Sequence, residues 1–296
     1  MIDVLAFLIA LTAATSEGGL KLIFKAKDME NFVGYVAKVP DKNGFISYTK
    51  DEDAIWKILY DRQTALIQDR ACPAFFDGIK NLGLSPDHIP QCVEVSSALN
   101  AATGWGVSPV AALISFEEFF KLLANKKFPA ASFIRRREEL DYLKEPDIFH
   151  EIFGHCPMLT DPGFAAFTEA VGQFGLGLSG PDRRMLARLY WFTVEFGLIK
   201  TSEGLRIYGA GIVSSNAESV YALESEIPNR KPFDLIEVLR MPYRYDEMQK
   251  TYFVIESVDS LYNMINGNLL KAFAEAKAMG LLPDPHAQIL TDVRSC

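Results

Sequence analysis

The segment EPDIFHEIFGH, which runs from Glu145 to His155, holds two of the four histidines in the chain and guides the interpretation of the sequence around it. Its apolar residues recur as in a short helix over Asp147–Gly154. Because His150 and His155 are five positions apart, a regular α-helix of 3.6 residues per turn would point them about 140° apart. We expect the helix to break at Gly154 and turn His155 back, so that both imidazoles bind one metal ion.

A third metal ligand is expected from Glu195, which stands in the otherwise apolar run LYWFTVEFGLI over Leu189–Ile199. Buried carboxylates are rare unless they pair with a cation or bind a metal ion. Two histidines and one carboxylate form the facial triad of non-haem Fe(II) oxygenases. Asp147 is expected to accept the other N–H of the His150 ring. The alternatives are a pair of buried structural histidines and, for Glu195, an ion pair with an arginine.

Helical spacing continues on both sides of these segments, so the chain is predicted to be mainly α with a small β component. Capping patterns place helix starts at Ser85-Pro86, at Ser115 with Glu118, at Asp161-Pro162 and at Pro181, the last helix reaching about Ile199. Apolar periodicity predicts further helices over Asp53–Arg70, Leu235–Leu239, Met248–Met264 and Leu269–Met279. Gly204–Val213 alternates polar and apolar residues, which predicts a short hairpin.

The composition excludes several classes of protein. Of the 296 residues, 49% are hydrophobic and 23% are charged, which is typical of a globular protein. A net charge of −8 without a long basic block argues against a nucleic-acid partner. The four cysteines Cys72, Cys92, Cys156 and Cys296 form no C-x-x-C pair, which favours a reducing, cytoplasmic environment.

The first 29 residues are predicted to be an N-terminal extension, followed by one catalytic domain over residues 30–296. Its apolar run, Val4–Ala14, is shorter than the roughly 20 residues that cross a bilayer, so we expect no membrane anchor. Asp3 stands where a secretory signal would carry Lys or Arg, which argues against such a signal. A start of the protein at Met29 is the alternative interpretation.

Three sequence blocks together resemble the pterin-dependent aromatic amino acid hydroxylases. They are the segment from Glu145 to Pro157, the segment YWFTVEFG from Tyr190, and the segment YGAGIVSS that ends at Ser215. The resemblance extends from about residue 30 to 275, with the blocks in the family's order. It implies one catalytic domain of that family, which uses Fe(II), a tetrahydropterin and O2. As in the bacterial members, the expected reaction converts L-phenylalanine to L-tyrosine, the first step of phenylalanine catabolism.

The resemblance also implies a role for each matching residue. The family's iron ligands correspond to His150, His155 and Glu195. The aromatic ring that stacks on the pterin corresponds to Phe119, and residues beside the pterin and the open iron face correspond to Glu151 and Tyr190. The arginine that holds the substrate carboxylate corresponds to Arg135, a serine near the same end to Ser214, and apolar pocket walls to Pro146 and Trp191. The guanidinium fork of an arginine binds a carboxylate in a way that lysine cannot imitate.

Two other functions remain open on the residues alone. A zinc hydrolase would use Glu151 as a general base beside the same metal ion, and a binding protein would keep the pocket without a metal. The residue types also leave open phenylalanine, tyrosine or tryptophan as substrate. Lys144 stands where animal members of the family carry a threonine near the substrate. We expect a monomer or dimer, because no sustained heptad is evident, and pterin-recycling enzymes as functional partners.

Overall fold

α-Helices make up most of the computed structural model, which describes residues 35–110, 114–143, 145–178 and 180–287. The α-helices are α1 (Lys50–Ile67), α2 (Pro73–Asn81), α3 (Cys92–Thr103), α4 (Phe116–Ala124), α5 (Pro162–Leu176), α6 (Gly180–Tyr190), α7 (Ala210–Val213), α8 (Asn216–Glu224), α9 (Leu235–Arg240), α10 (Val258–Ile265) and α11 (Leu269–Met279). Two π-helices, π1 (Phe149–His155) and π2 (Trp191–Glu195), interrupt this series. Short 3-10 helices lie at Arg137–Glu139 and Met158–Thr160.

Two small sheets complete the fold. The strands are β1 (Gly106–Val110), β2 (Lys127–Ala131), β3 (Leu198–Thr201), β4 (Gly204–Ile207), β5 (Asn229–Pro232) and β6 (Thr251–Ile255). Strands β1 and β2 pair in parallel, with Gly106 opposite Lys127. The other sheet has the order β4-β3-β6-β5, in which only the β3–β4 pair is antiparallel among the described strands. The prediction of a mainly α chain with a small β component is therefore confirmed.

The capping patterns of the central helices are confirmed by the structure. Ser115 precedes α4 and its hydroxyl accepts the backbone N–H of Glu118, while the side chain of Asp161 accepts that of Phe164 at the start of α5. The pattern at Ser85-Pro86 was misleading, because the hydroxyl of Ser85 instead closes a turn by accepting the N–H of Asp87. Such short polar side chains serve turns as readily as helix starts.

Three other predicted elements are wrong in part. The range Met248–Met264 splits into β6 and α10, because the run of β-branched and aromatic residues in β6 forms a buried strand. The helix expected to reach Ile199 ends at Tyr190 and is followed by π2 and β3. In Gly204–Val213, only β4 belongs to a hairpin, whose other strand is β3, and the remainder contains α7.

An aromatic stack fixes π1 against α1. Phe149 and Phe153 of π1 stack on each other with ring centroids 4.7 Å apart. The α1 side chains Trp56 and Tyr60 pack edge-on against them, at centroid distances of 5.5 and 5.6 Å. Burying these large rings is a major stabilising contribution to the core, and it holds in place the helix that carries both predicted histidine ligands.

The predicted N-terminal extension, residues 1–29, lies outside the described residues. In the described part of the chain, no helix combines the length and apolar character needed to cross a membrane.

Candidate metal centre and adjoining clefts

The two histidines converge because they lie on a π-helix rather than at a broken α-helix. In π1 the backbone hydrogen bonds join residues five apart, so side chains five positions apart come close in space. The Nε2 atoms of His150 and His155 lie 3.1 Å apart. The expected break at Gly154 does not occur, since π1 continues through it.

Gly154 has a packing role instead. A Cβ atom at this position would lie 3.1 Å from the carbonyl oxygen of Ala210 and 3.4 Å from the Cβ of Ser214. The missing side chain therefore lets α7 and the residue that follows it approach π1 closely. This approach brings Ser214 to the histidine side of π1.

Glu195 is placed by the second π-helix, π2. Its Oε1 lies 3.1 Å from Nε2 of His155 and its Oε2 lies 3.8 Å from Nε2 of His150. The side chains of all three residues are buried. In the part of the chain that the structure describes, the two histidines are the basic side chains beside the Glu195 carboxylate and no arginine pairs with it, so the alternative of a structural arginine partner does not hold.

Ser214 determines which nitrogen of His150 carries the proton. Its hydroxyl donates to the carbonyl oxygen of Ala210, at 2.8 Å, and lies 2.8 Å from Nδ1 of His150. Because the single hydroxyl proton is used, Ser214 accepts the N–H of Nδ1. The Nε2 atom of His150 is then unprotonated and its lone pair faces Glu195 and His155.

The charges of this cluster suit a divalent cation. Burial, together with the neighbouring His155, lowers the pKa of His150 to about 4, so the ring is neutral near pH 7. Burial alone would raise the pKa of Glu195, but the two histidines hold it below its ordinary value. Two imidazoles and one ionised carboxylate are the donor set of a non-haem Fe(II) site. Glu151 stands next to it, with one carboxylate oxygen within 4.8 Å of a nitrogen of each histidine.

One cavity, of about 380 Å³, opens on one side of these three side chains. Its other lining residues include Phe119, Phe128, Pro129, Glu151 and Tyr190. Phe119 packs edge-on against Tyr190 with ring centroids 5.4 Å apart, so the two predicted cofactor neighbours lie side by side. Sequence reasoning missed Phe128, which lines this cavity and whose ring centroid lies 4.7 Å from that of His155.

A second and larger cleft, of about 960 Å³, is also lined by His150. Its walls include the predicted residues Arg135, Pro146 and Ser214. They also include the loop residues Tyr245, Asp246, Glu247 and Met248, the 140–143 segment, and Ser215 to Glu218 at the start of α8, none of which was predicted. His150 lines both cavities, so the candidate metal position lies at their junction.

The guanidinium group of Arg135 is held by Asp147. Its Nε donates to Oδ2 of Asp147 at 2.8 Å and its Nη2 donates to Oδ1 at 2.9 Å. Burial would raise the pKa of Asp147, but Arg135 keeps it below the ordinary value. Nε and Nη2 of Arg135, the pair of donors that could bind a carboxylate through both its oxygens, therefore already bind Asp147. Among the described residues, Nη1 is the guanidinium nitrogen that remains available to a ligand.

The predicted role of Asp147 also needs correction. Its Oδ1 accepts the backbone N–H of His150 at 3.1 Å, whereas the ring N–H of His150 goes to Ser214. Asp147 therefore links the backbone of the first histidine to Arg135 and does not orient the imidazole. The sequence does not reveal this arrangement, because it depends on the contact between His150 and Ser214, which lie far apart in sequence.

Trp191 is not among the described residues that line the larger cleft. Its indole N–H donates to Oε1 of Gln249 at 3.1 Å, and its ring packs 4.5 Å from that of Phe196. Phe196 lines the cleft, so Phe196 supplies the aromatic wall that was assigned to Trp191. Lys144 lies outside the described residues.

Several known proteins resemble this chain in sequence and in fold. The family described as biopterin-dependent aromatic amino acid hydroxylase matches residues 25–279. A phenylalanine-4-hydroxylase of Vibrio cholerae is 50% identical over 249 residues, which are 84% of this chain and 86% of that protein. The solved phenylalanine hydroxylase of Legionella pneumophila is 52% identical, with a TM-score of 0.83 over 85% of this chain and 100% of that one. The phenylalanine hydroxylase of Chromobacterium violaceum, solved with bound oxidized Fe(III), is 42% identical, with a TM-score of 0.79 over 83% of this chain and 89% of that one.

Proposed function

The chain belongs to the biopterin-dependent aromatic amino acid hydroxylases, and we propose that it hydroxylates L-phenylalanine to L-tyrosine with Fe(II), a tetrahydropterin and O2. The observation that carries the proposal is the convergence of the buried donors His150, His155 and Glu195 at the smaller cavity, with His150 also lining the larger cleft. One cavity is lined by aromatic rings and the other by an arginine that suits an amino acid carboxylate. The names of the relatives favour phenylalanine over tyrosine and tryptophan.

The three donors would hold the iron through the two Nε2 atoms and the Glu195 carboxylate. When bound, the iron and the reduced pterin supply the electrons that activate O2. Phe119 provides a flat apolar surface in the smaller cavity, on which a pterin ring would lie. Glu151 and Tyr190 border the same cavity and would orient the pterin and water near the metal.

The larger cleft would bind phenylalanine. Nη1 of Arg135, held in place by Asp147, would pair with the substrate carboxylate. Pro146 and Phe196 would contact the aromatic ring and keep water away from the reacting carbon. Ser214 acts on the chemistry indirectly, by keeping Nε2 of His150 unprotonated.

The zinc hydrolase and metal-free binding alternatives give way to this assignment because residues 25–279 match the hydroxylase family. We further propose that residues 30–296 form the catalytic domain and residues 1–29 an extension. A cytoplasmic location is supported by the three described cysteines Cys72, Cys92 and Cys156, which are free and buried. We propose a monomer or dimer that depends on separate enzymes to recycle its pterin.

Product analysis tests the proposed function directly. Purified protein loaded with Fe(II) is given a tetrahydropterin, O2 and phenylalanine, tyrosine or tryptophan in separate reactions. We expect tyrosine from phenylalanine, dependent on both pterin and iron, and loss of iron and activity in His155→Ala. Equal turnover without pterin, or no tyrosine under any condition, would refute the assignment.

A further inference from the structure

Glu218 is a buried carboxylate in the wall of the larger cleft, outside the predicted site. It is the third residue of α8, and its backbone N–H donates to the hydroxyl of Ser215, which caps that helix. A glutamate at this position commonly turns back to the N–H of the capping residue. Here the side chain turns instead toward Gln249 and Tyr252, and the residue is only 6% exposed.

The two carboxylate oxygens of Glu218 have different surroundings. Oε1 accepts the backbone N–H of Gln249 at 3.1 Å and the hydroxyl of Tyr252. Oε2 has no hydrogen-bond partner among the described residues. Since Glu218 lines the cleft, Oε2 is the oxygen available to a molecule bound there.

Among the described residues, no basic side chain forms an ion pair with Glu218, whereas most other acidic residues of this cleft have such a partner. Asp141 pairs with Arg62, whereas Asp246 and Glu247 pair with Arg244. Glu145, which has no such pair among the described residues, is less buried than Glu218. An unpaired buried carboxylate is costly, and burial accordingly raises the pKa of Glu218. A bound cation would remove this cost.

The proposed substrate supplies such a cation, because an amino acid carries an ammonium group one carbon away from its carboxylate. Hydrogen bonds through the buried Asp147 connect Arg135 to His150, which in turn contacts Ser214. Arg135, His150, Ser214 and Glu218 all line the same cleft. A carboxylate bound at Arg135 therefore places the neighbouring ammonium in the same cleft. We propose that Oε2 of Glu218 accepts a hydrogen bond from the α-ammonium group of the substrate. This inference rests on the proposed function.

The test measures substrate binding separately from turnover. Glu218→Gln keeps an oxygen for Gln249 and Tyr252 but removes the negative charge. Calorimetric titration of anaerobic, Fe(II)-loaded protein is expected to show phenylalanine binding weakened about 10- to 100-fold, the range for a hydrogen bond between charged groups. Binding of 3-phenylpropanoate, which lacks the ammonium group, should be unchanged or tighter. In turnover, KM for phenylalanine should rise by a similar factor with kcat little changed.

Two variants separate this role from a structural one. Glu224→Gln, on the same helix but paired with Arg70 at the surface, should leave both ligands unaffected. Tyr252→Phe removes a hydrogen bond from Oε1 only, so it should lower the melting temperature without changing the preference for phenylalanine over 3-phenylpropanoate.

Equal weakening of both ligands by Glu218→Gln, or unchanged phenylalanine binding, would overturn the proposal. If wild-type protein bound phenylalanine but formed no tyrosine, the proposed function would fail while the role of Glu218 in binding could still be measured.

Discussion

Nδ1 of His150 lies 2.8 Å from the hydroxyl oxygen of Ser214, which itself donates to the carbonyl oxygen of Ala210. This pair fixes the ring so that only Nε2 can face a metal ion. Neither residue could do so alone, because an isolated neutral imidazole can carry its proton on either nitrogen.

Ser214→Ala should therefore weaken iron binding about 10- to 100-fold, which is typical when a partner of a ligating histidine is lost. Titration with Fe(II) under anaerobic conditions measures the change. Ser215→Ala is the matched control, since it removes the cap of α8 and lowers stability but has no contact with the histidine. Equal loss of metal affinity in both variants would assign the effect to the fold.

The buried pair Arg135 and Asp147 should show strong energetic coupling. Arg135→Ala leaves a fully buried carboxylate without its cation, and breaking one partner of such a pair costs about 3–5 kcal/mol. The double variant with Asp147→Asn should recover part of that loss, because no charge is then stranded. Urea unfolding of the two single variants and the double variant measures the coupling, and strictly additive losses would show that the pair contributes nothing as a pair.

The metal donors could be predicted from sequence because their chemistry is unusual in its surroundings. Glu195 is an acid in an apolar run, and His150 and His155 cluster in a chain poor in histidine. The π-helices could not be predicted, since a single sequence shows apolar periodicity but not where a five-residue hydrogen bond replaces the regular one. Packing of Trp56 and Tyr60 against Phe149 and Phe153 stabilises the irregular backbone of π1.

The other incorrect predictions concern side chains whose contacts come from residues distant in sequence. Arg135 and Asp147 are each plausible near a substrate, and only the folded chain shows that they bind each other. Trp191 and Phe196 are both aromatic residues near Glu195. Which of them lines the cleft depends on Gln249, a residue from another loop that binds the indole N–H of Trp191. The larger cleft contains residues from several segments, and no local pattern marks those of the 245–248 loop.

Arg62 should influence substrate binding although it lies on α1. Its Nη1 pairs with Asp141 at 2.5 Å and its Nη2 donates to the carbonyl oxygen of Leu140 at 2.6 Å. These contacts hold Leu140 and Asp141, which lie in the cleft wall together with Tyr142 and Leu143. Arg62→Ala is expected to raise KM for phenylalanine about 3- to 10-fold with little change in kcat, the size expected from losing about 1 kcal/mol of local order.

Arg70→Ala is the matched control for Arg62. Arg70 also binds one carboxylate and one carbonyl oxygen, those of Glu224 and Leu66, but it does not line the cleft. Steady-state kinetics of both variants should show a raised KM only for Arg62→Ala. A similar rise in both would indicate a general loss of stability, which thermal unfolding of the same samples would reveal.

The three described cysteines should be unreactive in the folded protein. Burial raises the pKa of Cys72 to about 11 and that of Cys92 to about 12, and it raises the pKa of Cys156 well above its ordinary value. Only the thiolate reacts with disulfide reagents, so at pH 8 roughly one thiol in a thousand, or fewer, would be in the reactive form. A Cys296→Ser variant is treated with a disulfide reagent that releases a coloured thiol. The native variant should release no coloured thiol, and the denatured variant should release three equivalents. Rapid release from the native variant would mean that the core around these thiols opens far more often than its packing indicates.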